Sequence, residues 1–188
     1  MAGNVLANTA ESWGALAKFF HWTIALLILA QIALGITAVA WRISPLKLEL
    51  FVWHKSVGML ILVLMLARLA WRLANRAPAL PPDTPAWERY AAHASHGLLY
   101  ALAIALPVSG WVINSAAAVP FSVFWLVPLP AIVAPDEHLE DLAKLAHFSL
   151  LVALCLVLVV HIGAALRHHL LKRDDVLIRM LPRSWRRA

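Results

Sequence analysis

Long runs of apolar residues dominate the hydropathy pattern of this chain, and there are four of them. They extend over about 18–41, 51–73, 91–113 and 142–170, and charged residues concentrate near their ends. Each run is close to the ~20 residues that an α-helix needs to cross the hydrocarbon of a bilayer. The pattern predicts an all-α membrane protein in which four transmembrane helices form an up-down bundle. We expect one membrane domain over 1–188 that ends in a basic C-terminal tail, 171–188.

The two long connections between these runs are rich in proline. Residues 75–90 contain four prolines among polar residues, and they predict a loop. Residues 116–135 are apolar but also contain four prolines, with aromatic residues between them. We interpret this segment as an interfacial loop packed on the mouth of the bundle, and a fifth span is the alternative. Pro107 lies within the third run, where we expect a kink.

Composition and charge agree with a membrane protein. The chain is 62% hydrophobic and 14% charged, with a mean hydropathy of +0.77, which is too apolar for a soluble domain. The net charge is +6, but the basic residues flank apolar runs and do not form a patch with aromatics, so we expect membrane lipid and no nucleic acid as a partner. Twelve of the 16 Lys and Arg residues fall on the side that carries both termini. The positive-inside rule therefore places both termini in the cytoplasm.

The fourth apolar run carries two histidines, His147 and His161, fourteen residues apart. In a helix, fourteen residues return to within about 40° of the same face and rise about 21 Å. Imidazoles inside a bilayer are costly and mark function. Haem iron is among the few centres that would use imidazole nitrogens at two separate depths. The only cysteine, Cys155, excludes covalent attachment of a c-type haem. These residues predict a membrane cytochrome with two stacked b-type haems.

The fourteen-residue interval recurs in the other three runs. It separates His21 from Gly35, His54 from Arg68, and His96 from Gly110. Each helix therefore presents one face to two levels of the bundle. The predicted orientation places His54 with His147 at the outer level, so the fourth helix can be a wall shared by two haem sites.

At the cytoplasmic level three histidines compete for two axial positions. His21, His96 and His161 all lie at this depth, and spacing does not choose among them.

Other residues on these faces are candidates for contact with the haems. A glycine lets a porphyrin approach the backbone, which suits Gly35, Gly110 and Gly58. Arg68 is placed to pair with a haem propionate. The alternatives are that these glycines are ordinary helix-packing residues and that Arg68 is a topology anchor.

Several stretches of the sequence resemble the prokaryotic cytochrome b561 family of four-helix, two-haem membrane proteins. They are FHWTIALLIL, VWHKSVGMLILVLMLARLAWRL, HASHGLLYALAIALPVSGW, KLAHFSLLVALCLVLVVHIGAALRHH and KRDDVLIRMLPR. The resemblance implies axial ligation by His21 with His161 and by His54 with His147, which leaves His96 unligated. It also implies a bacterial inner-membrane location. The sequence departs from the family in its extension before His21 and in the Pro-rich loop between the last two runs.

The function implied by the resemblance is electron transfer between a periplasmic donor and membrane ubiquinone, and one family member is described as a superoxide to ubiquinone oxidoreductase. An oxidoreductase of this type would attract superoxide at the outer level, where Lys55 and Lys144 supply positive charge. His96 and Arg72 are candidates for a quinone pocket on the other side. The alternative is a haem b membrane-anchor subunit of a larger dehydrogenase or hydrogenase complex. A membrane transporter without haem is a third possibility.

Overall fold

The computed structural model describes residues 6–9, 12–81 and 84–181, and most of them form four long helices. All four are long and apolar enough to cross a membrane. They are α1 (Ala15–Ala40), α2 (Pro45–Ala74), α3 (Ala86–Ala116) and α4 (Glu137–Arg167), and a π-helical turn (His168–Lys172) continues α4. The predicted four-helix fold is therefore confirmed.

All four helices begin before the apolar runs do, and at α2 and α4 a capping side chain marks the start. α2 begins at Pro45, directly after Ser44, whose hydroxyl accepts a hydrogen bond from the Lys47 amide at 3.4 Å. The Asp136 carboxylate accepts from the Leu139 amide at 2.9 Å and caps α4 in the same way. Hydropathy thus marks the part of each helix that suits the hydrocarbon, and the caps mark where the helix starts. α3 also runs through Pro107 without ending there.

Side-chain contacts show that neighbouring helices run in opposite directions. We call one end of the bundle the terminal end, where α1 and α3 begin and α2 and α4 finish. The opposite end is the hairpin end. At the terminal end, residues 173–181 lie across α1, where the Trp22 indole donates to the Met180 carbonyl at 2.9 Å and the Lys18 ammonium donates to the Leu181 carbonyl at 3.0 Å. The predicted basic tail therefore begins as a segment docked on α1. Three of its arginines belong to residues 182–188, which lie outside the described residues.

The proline-rich segment between α3 and α4 folds into a small hairpin on the start of α2. Its strands, β1 (Ser122–Val123) and β2 (Val127–Pro128), pair antiparallel. The Phe124 amide donates to the hydroxyl of Ser56 at 2.8 Å, and Ser56 is completely buried. The ring of Phe124 also lies 5.8 Å from that of Trp53. The segment is the expected loop on the bundle mouth, and the described part of the chain holds four helices of spanning length, not five.

Packing within the bundle is uneven. The closest helix pairs are α3 with α4, α1 with α2, and α2 with α3. A buried cluster of Ile24, Ile61, Met65 and Ala103 joins the first three helices. α4 presents most of its apolar side chains to the outside, for example Val159 at 70% exposed. Among the described residues, α4 does not pack closely on α1 or α2. Histidine rings extend across the space between them.

Candidate functional site

Two pairs of histidines face each other across the space between α4 and the first two helices. At the terminal end, the ring centroids of His21 and His161 are 6.3 Å apart, with an interplanar angle of 63°. At the hairpin end, those of His54 and His147 are 6.4 Å apart, with an angle of 70°. The structure thus brings together the two pairs that the family resemblance implied. The helical rise separates the two levels by about 21 Å along α4.

The geometry of both pairs fits a haem iron. Two imidazole nitrogens that each lie about 2 Å from one metal place their ring centroids about 6 Å apart. The described residues contain no group of three or more His, Cys, Asp or Glu side chains that could hold a metal ion. A site with two protein ligands suits haem, because the porphyrin supplies the other four nitrogens. Two facing imidazoles are therefore the donor set that a haem iron takes.

Two glycines lie against the histidine rings at the hairpin end, and a side chain would clash at one of them, Gly35. A methyl group at Gly35 would lie 2.7 Å from Cε1 of His54, which is too close for any ordinary contact. A methyl group at Gly110 would lie 3.6 Å from Cε1 of His147, which is ordinary van der Waals contact. From their spacing, both glycines are candidates for clearance of a porphyrin or for helix packing, and the structure places an imidazole ring against each. Gly58 faces the side-chain amide of Gln31 at 3.3 Å instead.

Ser109 on α3 is a polar neighbour of this pair that the sequence analysis did not identify. Its hydroxyl lies 2.9 Å from Nδ1 of His147. The other ring differs, since Nδ1 of His54 is buried without a hydrogen-bond partner among the described residues. The only sequence signal for Ser109 is a small polar residue beside Gly110 in an apolar span.

Cations and a third histidine surround the pair at the terminal end. The Arg68 guanidinium lies 3.1 Å from Nδ1 of His21 and donates through Nε to the Tyr100 hydroxyl at 3.0 Å. The ring of His96 is 5.5 Å from that of His161. All three histidines named by the spacing therefore meet here. The His21–His161 separation is the one that matches the pair at the hairpin end.

A small cavity of about 20 Å³ lies at the terminal end, and Arg68, which contacts His21, is part of its lining. The Trp71 indole N–H is buried without a hydrogen-bond partner among the described residues. The predicted site residue Arg72 lines this cavity, and His96 is not among its lining residues. The lining includes Trp13, Arg68, Trp71, Arg72, Tyr100 and Met180.

The two lysines predicted at the hairpin end have different surroundings. The Lys55 ammonium donates to the amide oxygen of Asn114 at 2.7 Å, which fixes its position and leaves its charge uncompensated by this contact. Lys144 forms salt bridges with Glu140 at 2.7 Å and Asp141 at 3.2 Å. Two carboxylates compensate the charge of Lys144, so the structure does not support it as a cation that attracts an anionic donor.

An ionic cluster at the terminal end was also missed by the sequence analysis. The nearly buried Glu88 carboxylate of α3 pairs with Arg167 at 3.1 Å and with Lys172, both at the end of α4. These contacts hold the ends of α3 and α4 together. They do not touch the histidine pairs.

Helices of membrane-spanning length that enclose two facing histidine pairs define a haem-binding membrane cytochrome. The chain matches the profile of the prokaryotic cytochrome b561 family over residues 12–183, and it belongs to this family. It is 34% identical over 183 residues to cytochrome b561 homolog 2 of Escherichia coli strain K12, which covers 94% of this chain and 95% of that protein. It is 30% identical to cytochrome b561 homolog 1 of the same strain over 88% of this chain and 94% of that protein.

The name of a third relative states an activity. The chain is 31% identical over 165 residues to the probable superoxide oxidase CybB of Yersinia pestis, covering 87% of this chain and 92% of that protein. The family binds b-type haem, typically two per chain, and functions in membrane electron transfer. The protein is thus a multi-pass membrane protein of the bacterial inner membrane.

Proposed function

We propose that this protein carries electrons from superoxide at the hairpin end to ubiquinone at the terminal end, through two b haems. The axial ligands are His54 with His147 at the hairpin end and His21 with His161 at the terminal end. The observation that carries this proposal is the near-equal separation of the two pairs, 6.3 and 6.4 Å, on opposite ends of α4. The positive-inside count supports a periplasmic hairpin end and cytoplasmic termini.

The task of the chain is to hold two redox centres in fixed positions in an apolar setting. Bound haem iron supplies one-electron exchange between its ferric and ferrous states. α4 supplies a ligand to each level, so a single rigid helix fixes the separation of the two sites. The buried cluster of α1, α2 and α3 between the levels excludes water from the space that separates them.

The hairpin end is suited to a small anionic donor. Superoxide gives up one electron and becomes dioxygen, so it requires no acid or base from the protein. Lys55 supplies positive charge directly beside His54, and Asn114 holds its ammonium in place. The relative named as a probable superoxide oxidase gives independent support for this donor.

The terminal end offers hydrogen-bond donors for a quinone. Two superoxide ions supply the two electrons that, with two protons, convert one quinone to quinol. Arg72 and Trp71 line the small cavity there, and the indole N–H of Trp71 has no hydrogen-bond partner among the described residues, so both side chains can donate to a quinone carbonyl. His96 lies next to His161 and is the candidate for carrying a proton to the reduced ring. The segment 173–181 covers part of this end, so we propose entry of quinone from the lipid.

Arg68 has a second role in this proposal. A guanidinium has donors only, so Nδ1 of His21 accepts from Arg68 in the observed contact. A neutral imidazole that binds iron through Nε2 carries its proton on Nδ1 and cannot accept there. Ligation by His21 therefore requires Arg68 to turn away, and a haem propionate is the partner that its planar donors suit.

Purified protein tests the proposal directly. We expect two haems per polypeptide, reduction of both by enzymatically generated superoxide, and stoichiometric formation of quinol when ubiquinone is added. A protein with two haems that superoxide does not reduce would contradict the proposed donor. If the chain instead copurifies with a cluster-containing dehydrogenase and reduces quinone only with it, the membrane-anchor alternative is favoured.

A further inference from the structure

The hydroxyl of Ser109 has two neighbours that together define the direction of its hydrogen bonds. It lies 2.8 Å from the carbonyl oxygen of Leu106, one turn earlier on α3. It also lies 2.9 Å from Nδ1 of His147 on α4. A carbonyl oxygen can only accept, and a serine hydroxyl has one proton. Ser109 therefore donates to Leu106 and must accept from the imidazole.

This arrangement determines the tautomer of His147. Because Ser109 accepts from Nδ1, the ring proton is on Nδ1 and the lone pair is on Nε2. That is the tautomer that binds a metal through Nε2. A hydrogen bond from the distal ring N–H to an acceptor also makes the metal-bound nitrogen more electron-rich. The serine is thus positioned to act on an iron that it does not touch.

We propose that Ser109 is a positioning residue that sets the tautomer of His147 and lowers the reduction potential of the hairpin-end haem. An electron-rich ligand stabilises ferric iron over ferrous iron, which is the reason for the lower potential. The inference rests on the proposed pairing of His54 with His147. Within the part of the chain that the structure describes, Nδ1 of His54 has no hydrogen-bond partner, so the effect comes from the His147 side of the haem.

The hairpin-end geometry favours this role over simple helix packing. Gly110 follows Ser109 in the chain, and the His147 ring lies against it, with Cε1 3.6 Å from the position a Cβ atom would take. The ring thus packs on the same turn of α3 that carries the hydroxyl acceptor for its proton. A serine that only filled space would not need its hydroxyl aligned with Nδ1.

Spectroelectrochemistry of the purified two-haem protein tests the proposal. Ser109→Ala removes the hydroxyl acceptor and leaves the Leu106 carbonyl, which also lies near the His147 ring. We expect the ferric-to-ferrous equilibrium of the hairpin-end haem to shift about 3- to 10-fold toward ferrous iron, or about 30–60 mV for a one-electron couple. The low-spin ferric EPR signal of that haem should change with it. The other haem and the haem content should stay as in the wild type. Ser109→Thr keeps a hydroxyl and should restore the wild-type potential.

Two sets of control variants separate the effect of the Ser109 hydroxyl from other effects of the substitution. Ser149 on α4 is exposed, and its hydroxyl donates to the Leu145 carbonyl at 2.8 Å, so Ser149→Ala removes a similar hydroxyl two residues from His147 and should leave both potentials unchanged. If Ser109→Ala loses haem, the isosteric pair Ser109→Thr and Ser109→Val isolates the hydroxyl. Equal potentials in that pair, or in Ser109→Ala and wild type, overturn the role of Ser109.

His147→Ala separates this inference from the proposed ligand set. Loss of one haem in that variant supports the pairing, and an unchanged potential in Ser109→Ala then overturns the role of Ser109 alone. Retention of both haems in His147→Ala overturns the pairing and the inference together.

Discussion

The two ends of the bundle hold histidine pairs of nearly equal separation in very different surroundings. At the hairpin end the residues in contact with the rings are neutral and small, with Gly35 and Gly110 against the rings and Ser109 as a hydrogen-bond partner, and the ammonium of Lys55 is held by Asn114. At the terminal end the guanidinium of Arg68 is directly on His21, and the ring of His96 is near that of His161. The same ligand geometry is therefore built with two different sets of supporting residues.

This difference determines how each end acts on bound iron. Positive charge near a haem favours the ferrous state and raises the potential, and a hydrogen-bond acceptor on an axial imidazole lowers it. On the proposed ligation, the arginines raise the potential at the terminal end and Ser109 lowers it at the hairpin end. The gradient directs electrons from the hairpin end to the terminal end, which is the direction that a periplasmic donor and a quinone acceptor require.

The largest expected effect is loss of one haem at a chosen end. We expect His54→Ala and His147→Ala each to remove the hairpin-end haem, because one imidazole does not hold it. His21→Ala and His161→Ala should each remove the terminal-end haem, so haem per polypeptide falls by half in all four variants. Absorbance of the reduced pyridine complex measures this.

His96→Ala is the control for the ligand prediction, and it should retain both haems. Loss of a haem in His96→Ala with retention in His21→Ala would show that α3, and not α1, supplies the terminal-end ligand.

The next effect in size compares two glycines. Gly35→Ala places a methyl group 2.7 Å from the His54 ring, so the ring must move away from its position. We expect at least about 10-fold weaker haem binding at the hairpin end, as for other residues that orient a metal ligand. Gly110→Ala is the matched control, since its methyl group would meet His147 at 3.6 Å. Equal haem affinity in both variants, measured by reconstitution with haemin, would contradict the clearance role.

A smaller effect is expected at the terminal end from Arg68→Gln, which keeps a hydrogen-bond donor and removes the charge. The terminal-end potential should fall by tens of millivolts, where about 59 mV is a tenfold change for a one-electron couple. Arg76→Gln, near the end of α2, is a control that removes a charge of the same sign. A fall of the hairpin-end potential alone would show that Arg68 acts on the other haem.

The smallest predicted effect concerns the rate of reduction by superoxide. Lys55→Gln should lower this rate about 10-fold at low salt, and the difference should shrink as salt screens the charge. Lys144→Gln should have little effect, because Glu140 and Asp141 already compensate that lysine. Stopped-flow measurements over a range of salt concentrations compare the two. Equal rate losses in both variants would indicate net surface charge, and not a specific cation at Lys55.

Much of this architecture could be predicted from periodicity. The four apolar runs gave the helices, and the fourteen-residue interval placed histidines at two levels. It did not choose between His21 and His96, and only the family resemblance implied His21. The clearance role of Gly35 could not be predicted in this way, because it depends on which side chain of the neighbouring helix lies against this glycine. The partners of Lys144 lie three and four residues before it and could have been inferred from helical spacing. The role proposed for Ser109 depends on two interatomic distances that no sequence pattern encodes.

The separation of α4 from α1 and α2 has a consequence for how the protein matures. α1, α2 and α3 share a buried cluster and are synthesised first, so they can pack before α4 leaves the ribosome. α4 then packs against α3, and on the proposed ligation haem bound at two levels joins it to the first two helices. Supply of the cofactor therefore becomes a checkpoint in biogenesis, and cells starved of haem should accumulate a form whose last helix is open to membrane proteases.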